Sequence, residues 1–209
     1  YYHLQGQNVD MDQVIMPGLG YNSIWIRDYG PWTVYQNRVN TRGISDFLYN
    51  RPLRTNDDQL PYEVADYLNT PLFNADENPY KWTHTGGNFL RDGLGTAYSS
   101  DLVLRENSGK TGLDIANYAD VFFGISDYRI VNRLRYDTIH HLDMHMRILD
   151  EETIALGYYP EGEADGPWIE DNLEFIRNNY RTPYGKPYRI MRLEMTPHFG
   201  QYPPSGHYR

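Results

Sequence analysis

Cysteine is absent from the 209 residues, so no disulfide, zinc-thiolate centre or thiol nucleophile can be built from this chain alone. Also missing is any apolar run near the ~20 residues of a membrane helix. The opening Tyr1-Tyr2-His3-Leu4 has neither the basic nor the apolar region of a signal peptide. Positive charge is in short supply: 19 Lys and Arg face 28 Asp and Glu, a formal net charge of -9 with a pI near 5.2. That balance argues against nucleic acid or an anionic membrane as partner and suits a cationic substrate. No low-complexity tract, long linker or exact short repeat divides the chain, so one compact unit is expected. No initiator Met precedes Tyr1, and the chain stops at Arg209 directly after Pro203-Pro204-Ser205-Gly206-His207-Tyr208, an end that a trypsin-like protease would leave.

What is present is 40% hydrophobic and 15% aromatic, enough for the core of one domain or of part of a larger one. Twenty tyrosines, thirteen prolines and few lysines give a compositional pointer to an extracellular protein. Extended segments rich in β-branched and aromatic residues are expected over Ser23 to Arg27, Trp32 to Tyr35, Thr96 to Arg105, Tyr128 to Leu134, His141 to Leu149, Thr153 to Gly157 and Tyr188 to Met195. Helical spacing marks Asp57 to Leu68, with Asn56 or Asp57 able to cap and Tyr62, Val64, Ala65 and Leu68 on the apolar face. Further helices are expected over Leu113 to Phe123 and over Trp168 to Tyr180, the latter with Ile169, Leu173, Phe175 and Ile176 around one side. The alternation reads as α/β built from similar modules.

Three segments concentrate chemistry. In Ile24-Trp25-Ile26-Arg27-Asp28-Tyr29-Gly30-Pro31-Trp32 an apolar stretch runs into charges and a Gly-Pro turn; Arg27 and Asp28 are either a local ion pair or part of a substrate site. In His140-His141-Leu142-Asp143-Met144-His145-Met146-Arg147, strand alternation points His141, Asp143, His145 and Arg147 to one face, which must line a cleft or solvent because burying them unpaired is costly. The same three residues His141, Asp143 and His145 have the alternation of a zinc or iron site, a rival reading of a metal-dependent enzyme. In Thr83-His84-Thr85-Gly86-Gly87-Asn88-Phe89-Leu90-Arg91-Asp92-Gly93 the glycines permit close backbone approach or a plain hairpin; no Lys-Ser/Thr pair follows, so it is not a phosphate loop. His3, His84, His198 and His207 carry no partner pattern, and Tyr158 to Glu163 reads as a surface loop.

Taken in order, Trp25-Ile26-Arg27-Asp28-Tyr29-Gly30-Pro31, Gly86-Gly87-Asn88 and His141-Leu142-Asp143 resemble the agmatine deiminase and bacterial peptidyl-arginine deiminase group of the guanidino-modifying superfamily. Each motif alone is unspecific; the ordered set is not. The resemblance implies the pentein fold, an α/β propeller of five ββαβ-type modules, of which this chain would supply about three. Residues 1–209 would then be the central part of one catalytic domain.

The resemblance also implies roles. Asp28 and Asp143 would hold the guanidinium by paired hydrogen bonds, Trp25 would pack on the arginine side chain, Gly87 and Asn88 would contact substrate, and His141 would protonate departing ammonia and then activate water. The attacking thiolate would form a thiouronium intermediate and would come from a cysteine outside this chain, on a companion polypeptide or a longer parent. Tyr49-Asn50-Arg51-Pro52-Leu53-Arg54 resembles the loop that reads the carboxylate of a C-terminal arginine, with Arg51 and Arg54 as candidates, which favours an arginine-containing peptide over the small guanidino compound agmatine. No cofactor is required; Asp57-Asp58 would allow a structural Ca2+ or Na+. Secretion or residence in a bacterial envelope fits this group, with the cytoplasm as alternative. A third reading, a non-catalytic fragment that binds cationic peptides, draws on the missing cysteine and the acidic charge.

Overall fold

The computed structural model describes residues 9–36 and 41–196, with Leu4, Gly6 and Gln7; His3, His198, His207 and both chain ends lie outside the described residues. A four-residue helix α1 (Ile26–Tyr29) leads into the first of three repeated units. In that unit β1 (Trp32–Gln36) pairs antiparallel with β2 (Thr41–Asp46), helix α2 (Thr55–Tyr67) crosses over, and β3 (Leu72–Asn74) returns parallel to β2. The second repeats the plan with β4 (Leu90–Arg91), β5 (Thr96–Ser100), helices α3 (Leu102–Glu106) and α4 (Gly112–Phe123), and β6 (Asp127–Val131). The third uses β7 (Met146–Asp150), β8 (Thr153–Tyr158), α5 (Gly166–Asn179) and β9 (Arg189–Glu194). The result is three ββαβ modules with three separate three-stranded sheets, the number of modules the motif order implies, and no closed barrel among the described residues.

Local chemistry explains the elements. Helix α4 opens with a capping box in which the Asp114 amide donates to Thr111 Oγ1 at 3.2 Å and the Thr111 amide donates to Asp114 Oδ2 at 2.7 Å, worth about 1 kcal/mol. It closes on Gly124 at φ 66°, the left-handed residue a helix end favours. Aromatic and aliphatic side chains fill the space between modules: Trp32, Phe47, Trp82, Phe89, Ile115 and Phe123 join the first to the second. Leu90, Tyr98, Leu134, Leu142, Ile154 and Ile169 join the second to the third. At roughly 1.5–3 kcal/mol for each large apolar side chain removed from water, these two clusters bind the modules into one body.

Several expected elements end differently. Ser23 to Arg27 is not a strand, because the chain turns into α1 at Ile26. The strand expected to run to Arg105 stops at Ser100; the Asp101 amide donates to the Val131 carbonyl at 2.9 Å and α3 follows. The segment from His141 to Leu149 begins with a 3-10 turn, Leu142–Met144, and is a strand only from Met146. Strands β2, β3 and β4 fall where the sequence signalled none. Neither Asn56 nor Asp57 caps α2, which begins at Thr55, and Leu68 and Phe175 are exposed rather than on their helices' apolar faces.

The register places the site. Trp32 lies opposite Ser45, Leu90 opposite Tyr98 and Met146 opposite Leu156, so each module's first strand starts beside the carboxyl-terminal part of its second. The short turns just before β1, β4 and β7 therefore sit where the parallel strands end, the side on which open α/β sheets carry ligands. Those turns are α1, the 3-10 turn Gly86–Asn88 and the 3-10 turn Leu142–Met144, which hold the three chemical motifs.

Candidate active site

Buried Asp57, in the first turn of α2, accepts hydrogen bonds from the Asn22 amide at 2.6 Å, the Ser23 amide at 3.0 Å and Ser23 Oγ at 2.6 Å. Tyr29 hydroxyl donates to the Ser23 carbonyl at 2.7 Å. The segment 22–29 is thus clamped at both ends, which fixes Trp25 and Asp28 on the wall of a cleft of about 600 Å³. Opposite stand His140, His141 and Asp143, and the rim carries Tyr49, Arg51, Arg54 and Glu106.

The paired glycines explain how the motifs approach so closely. A β-carbon on Gly86 would run into the Arg27 carbonyl oxygen and the Trp32 ring; one on Gly87 would run into His141 Nδ1 and lie 3.0 Å from Asp28 Oδ1. The Gly87 amide donates to the Asp28 carboxylate, and His141 Nδ1 lies 3.6 Å from Asp28 Oδ1. On its other side His141 Nε2 is 3.4 Å from Thr85 Oγ1. Next to it His140 takes a left-handed φ of 58°, its carbonyl accepting from Ser100 Oγ at 2.8 Å and its Nδ1 donating to the Leu134 carbonyl at 2.8 Å. This turn sets the aim of His141.

Electrostatics follows from the crowding. Burial, reinforced by the Asp143 charge, pushes the Asp28 carboxyl up to about 6, against the pull of Arg51, the Gly87 amide and Arg54. Burial also raises Asp143, which Arg27 and Arg147 oppose. Burial, then the charges of Arg51 and His140, push His141 down to about 4, so its imidazole is neutral and can accept a proton. Two half-desolvated carboxylates beside a neutral imidazole form a receptor for a flat cation, with a base at its edge.

Not every expectation survives. Arg27 does not pair with its neighbour Asp28; its Nε is 3.7 Å from Asp143 Oδ2. Asn88 is not among the cleft-lining residues: its Oδ1 accepts from the Ser100 amide at 2.8 Å, which ties the turn before β4 to the end of β5 within the second module. Gly87 acts through its amide and its missing side chain. His145 does not share a face with His141 and Asp143, because the 3-10 turn breaks the two-residue alternation and sends it into the core, where neither ring nitrogen has a hydrogen-bond partner among the described residues. Among the described residues no three His, Asp or Glu are placed to hold a metal ion, which removes the basis of the metal reading. Of the two carboxylates that the sequence offered to a structural Ca2+ or Na+, Asp57 accepts from the Asn22 and Ser23 amides and Asp58 Oδ1 accepts from the Tyr49 amide at 2.6 Å. His84 does have partners: its Nε2 is 3.3 Å from Ser99 Oγ and 3.2 Å from Tyr128 hydroxyl, and it stacks on Trp82.

Residues 5–207 match the sequence profile described as Porphyromonas-type peptidyl-arginine deiminase. The chain belongs to that family. Its fold is shared with solved structures of low identity. One, described as an arginine deiminase from Porphyromonas gingivalis, is 23% identical with a TM-score of 0.73, covering 85% of this chain and 55% of that one. A substrate-bound agmatine deiminase from C. jejuni, with a cysteine replaced by serine, is 19% identical with a TM-score of 0.70, covering 93% and 57%. The agmatine deiminase of Enterococcus faecalis is 16% identical with a TM-score of 0.72, covering 84% and 51%. The peptidyl-arginine deiminase-type chain described here thus spans a little over half the length of these structures. Among the described residues no helix is long and apolar enough to cross a membrane.

Sequence reasoning missed Thr85, Tyr49, His140 and Glu106. Thr85, His140 and Tyr49 lie in segments already singled out and could have been taken with them; Glu106 carries no local signal, since only the tertiary fold brings it to the cleft.

Proposed function

We propose that this chain forms the guanidinium-binding half of an enzyme that hydrolyses peptidyl arginine to citrulline and ammonia, with preference for a C-terminal arginine. The observation that carries this reading is the convergence of Asp28 and Asp143, from two different modules, on one cleft with His141 beside them. A guanidinium stays protonated at any working pH and presents N–H groups in a plane, and two carboxylates are its natural receptor. Arg27, resting its own guanidinium near Asp143, models that contact within the chain.

In the proposed reaction a cysteine thiol supplied from outside these residues gives its proton to neutral His141, and the thiolate attacks the guanidinium carbon. The C–N bond breaks as His141 returns the proton to leaving ammonia; His141 then takes a proton from water, whose oxygen attacks the thiouronium carbon and expels the thiolate, to which His141 returns that proton, while the second water proton leaves with ammonia as ammonium and the ureido group of citrulline remains. The substrate-bound agmatine deiminase with serine in place of a cysteine supports assigning that step to a thiol. Arg51 and Arg54 at the rim favour a carboxylate at the distal end of the ligand, and hence a peptide over agmatine. The test is to incubate the full-length protein with a peptide ending in arginine, with its C-terminal amide and with agmatine, and to assay ureido product. Turnover fastest on the free-acid peptide is expected; stronger activity on agmatine refutes the substrate choice, and no product from any of the three refutes the reaction. A purified active species of 24.6 kDa alone would refute the external thiol.

A further inference from the structure

The cleft holds more charge than guanidinium binding needs, and its distribution is uneven. Arg51, on the loop after β2, donates from Nη1 to Glu106 Oε1 at 2.7 Å and to Asn50 Oδ1 at 2.9 Å. Glu106 ends α3 in the second module, so this ion pair joins two modules across the rim. Its carboxylate is largely buried, and Oε2 has no partner among the described residues. Arg54, three residues from Arg51, makes no ion pair with a carboxylate among the described residues: its Nη1 donates to the neutral Tyr49 hydroxyl at 2.8 Å. Arg27 faces Asp143. Charge accounting then separates the two rim arginines. Arg51 has Glu106 as its ion-pair partner; Arg54 has no such partner among the described residues, and the charge of Asp28 acts on both.

We propose that Glu106 is a specificity-determining residue: by neutralising Arg51 it leaves Arg54 as the principal receptor for the ligand's distal carboxylate and limits the cleft's preference for anionic end groups. This rests on the reading of the cleft as a guanidinium site. A second uncompensated arginine at the rim would draw a carboxylate more strongly and repel the distal ammonium of agmatine. Glu106 holds that tendency down while fixing Arg51 in place. Removing one unit charge several ångströms from a ligand's end group, at an effective dielectric of about 20, changes affinity roughly tenfold or more.

The experiment compares calorimetric binding of benzoyl-arginine and benzoyl-argininamide to full-length protein whose nucleophilic thiol has been removed by substitution, so that affinity is read without turnover. Glu106→Gln keeps an oxygen that accepts from Arg51 and removes only the charge. It is expected to raise the ratio of acid to amide affinity roughly tenfold while leaving amide affinity within about twofold. Arg54→Gln is expected to collapse the ratio, and Arg51→Gln to change it less than Arg54→Gln does. An unchanged or lowered ratio in Glu106→Gln, or Arg51→Gln proving the more damaging of the two arginine changes, overturns the proposal. Failure of the parent protein to bind either ligand overturns the guanidinium reading and this proposal with it. Binding of both ligands with no response to Glu106→Gln overturns this proposal alone.

Discussion

Replacing Gly87 by alanine isolates positioning from folding. Gly87 does not have a left-handed φ, so its backbone accepts an L side chain; what forbids one is the space already filled by His141 Nδ1 and, at 3.0 Å, by Asp28 Oδ1. The new methyl group overlaps the imidazole, and the cleft is the open direction in which the ring can yield. A displacement on the order of 1 Å of a reacting group costs about 10²-fold in rate, whereas overpacking of this kind costs about 1–3 kcal/mol of stability. Gly87→Ala in the full-length protein is therefore expected to lower kcat about a hundredfold while the protein still melts cooperatively, a few degrees lower. The assay is steady-state release of ureido product beside thermal denaturation. Retention of parental kcat would show that His141 is not aimed by this contact. Loss of the folded state without a measurable activity range would show instead that the turn cannot adjust at all.

Asp28 must be ionised to hold a guanidinium, and its carboxyl sits at about 6, so kcat/KM should rise with pH through that value; a flat profile from pH 5 to 8 contradicts the assignment. Asp46 is buried with no partner for Oδ2 among the described residues, and burial holds its carboxyl at about 8, above the ordinary 3.8, with Asp58 and Asp76 adding to the rise. The folded state therefore binds the proton more tightly than the unfolded one, so this group's stabilisation is complete below pH 4 and is lost as pH rises through 8, by about 1.4 kcal/mol per unit between. Asp46→Asn should be the more stable form at pH 8, and denaturant titrations showing parallel pH dependence in parent and variant would refute this. Asp57→Ala removes an acceptor of three hydrogen bonds at the segment bearing Trp25 and Asp28, and should cost about 2–4 kcal/mol and weaken ligand binding; a loss under 1 kcal/mol in chemical denaturation would sink that account.

The sequence carried the helices and the strands whose patterns are local. Leu113 to Phe123 has its Thr-x-x-Asp start and terminal Gly124, and Thr153 to Gly157 is a run of buried residues directly after three charges. It misled where tertiary contacts override a short pattern. Ser23 to Arg27 has the composition of a strand, but Asp57, more than thirty residues away, captures the amides of Asn22 and Ser23 and turns the chain into α1. Alternation from His141 to Arg147 assumed a period of two, and a three-residue 3-10 turn changed the phase, which is why His145 lies in the core. The roles of His141, Asp28 and Asp143 came from the resemblance; what geometry adds is their common cleft. Glu106 was illegible because its partner, Arg51, sits on a different element.

The weakness of each motif and the strength of their order have one cause. Every module starts its first strand beside the carboxyl-terminal part of its second, and the turns before those strands meet one another. No single turn can enclose a guanidinium, because a planar cation with donors on several edges needs acceptors arriving from different directions. In the proposed site, dividing the receptor among modules would supply those directions: Asp28 from the first, the Gly87 amide that bonds to it from the second, His141 and Asp143 from the third. The second module's turn must then be nearly featureless, since any side chain at position 87 would occupy the meeting point of the other two. Its glycines are the part of the site that carries no chemistry and makes the rest of the chemistry possible.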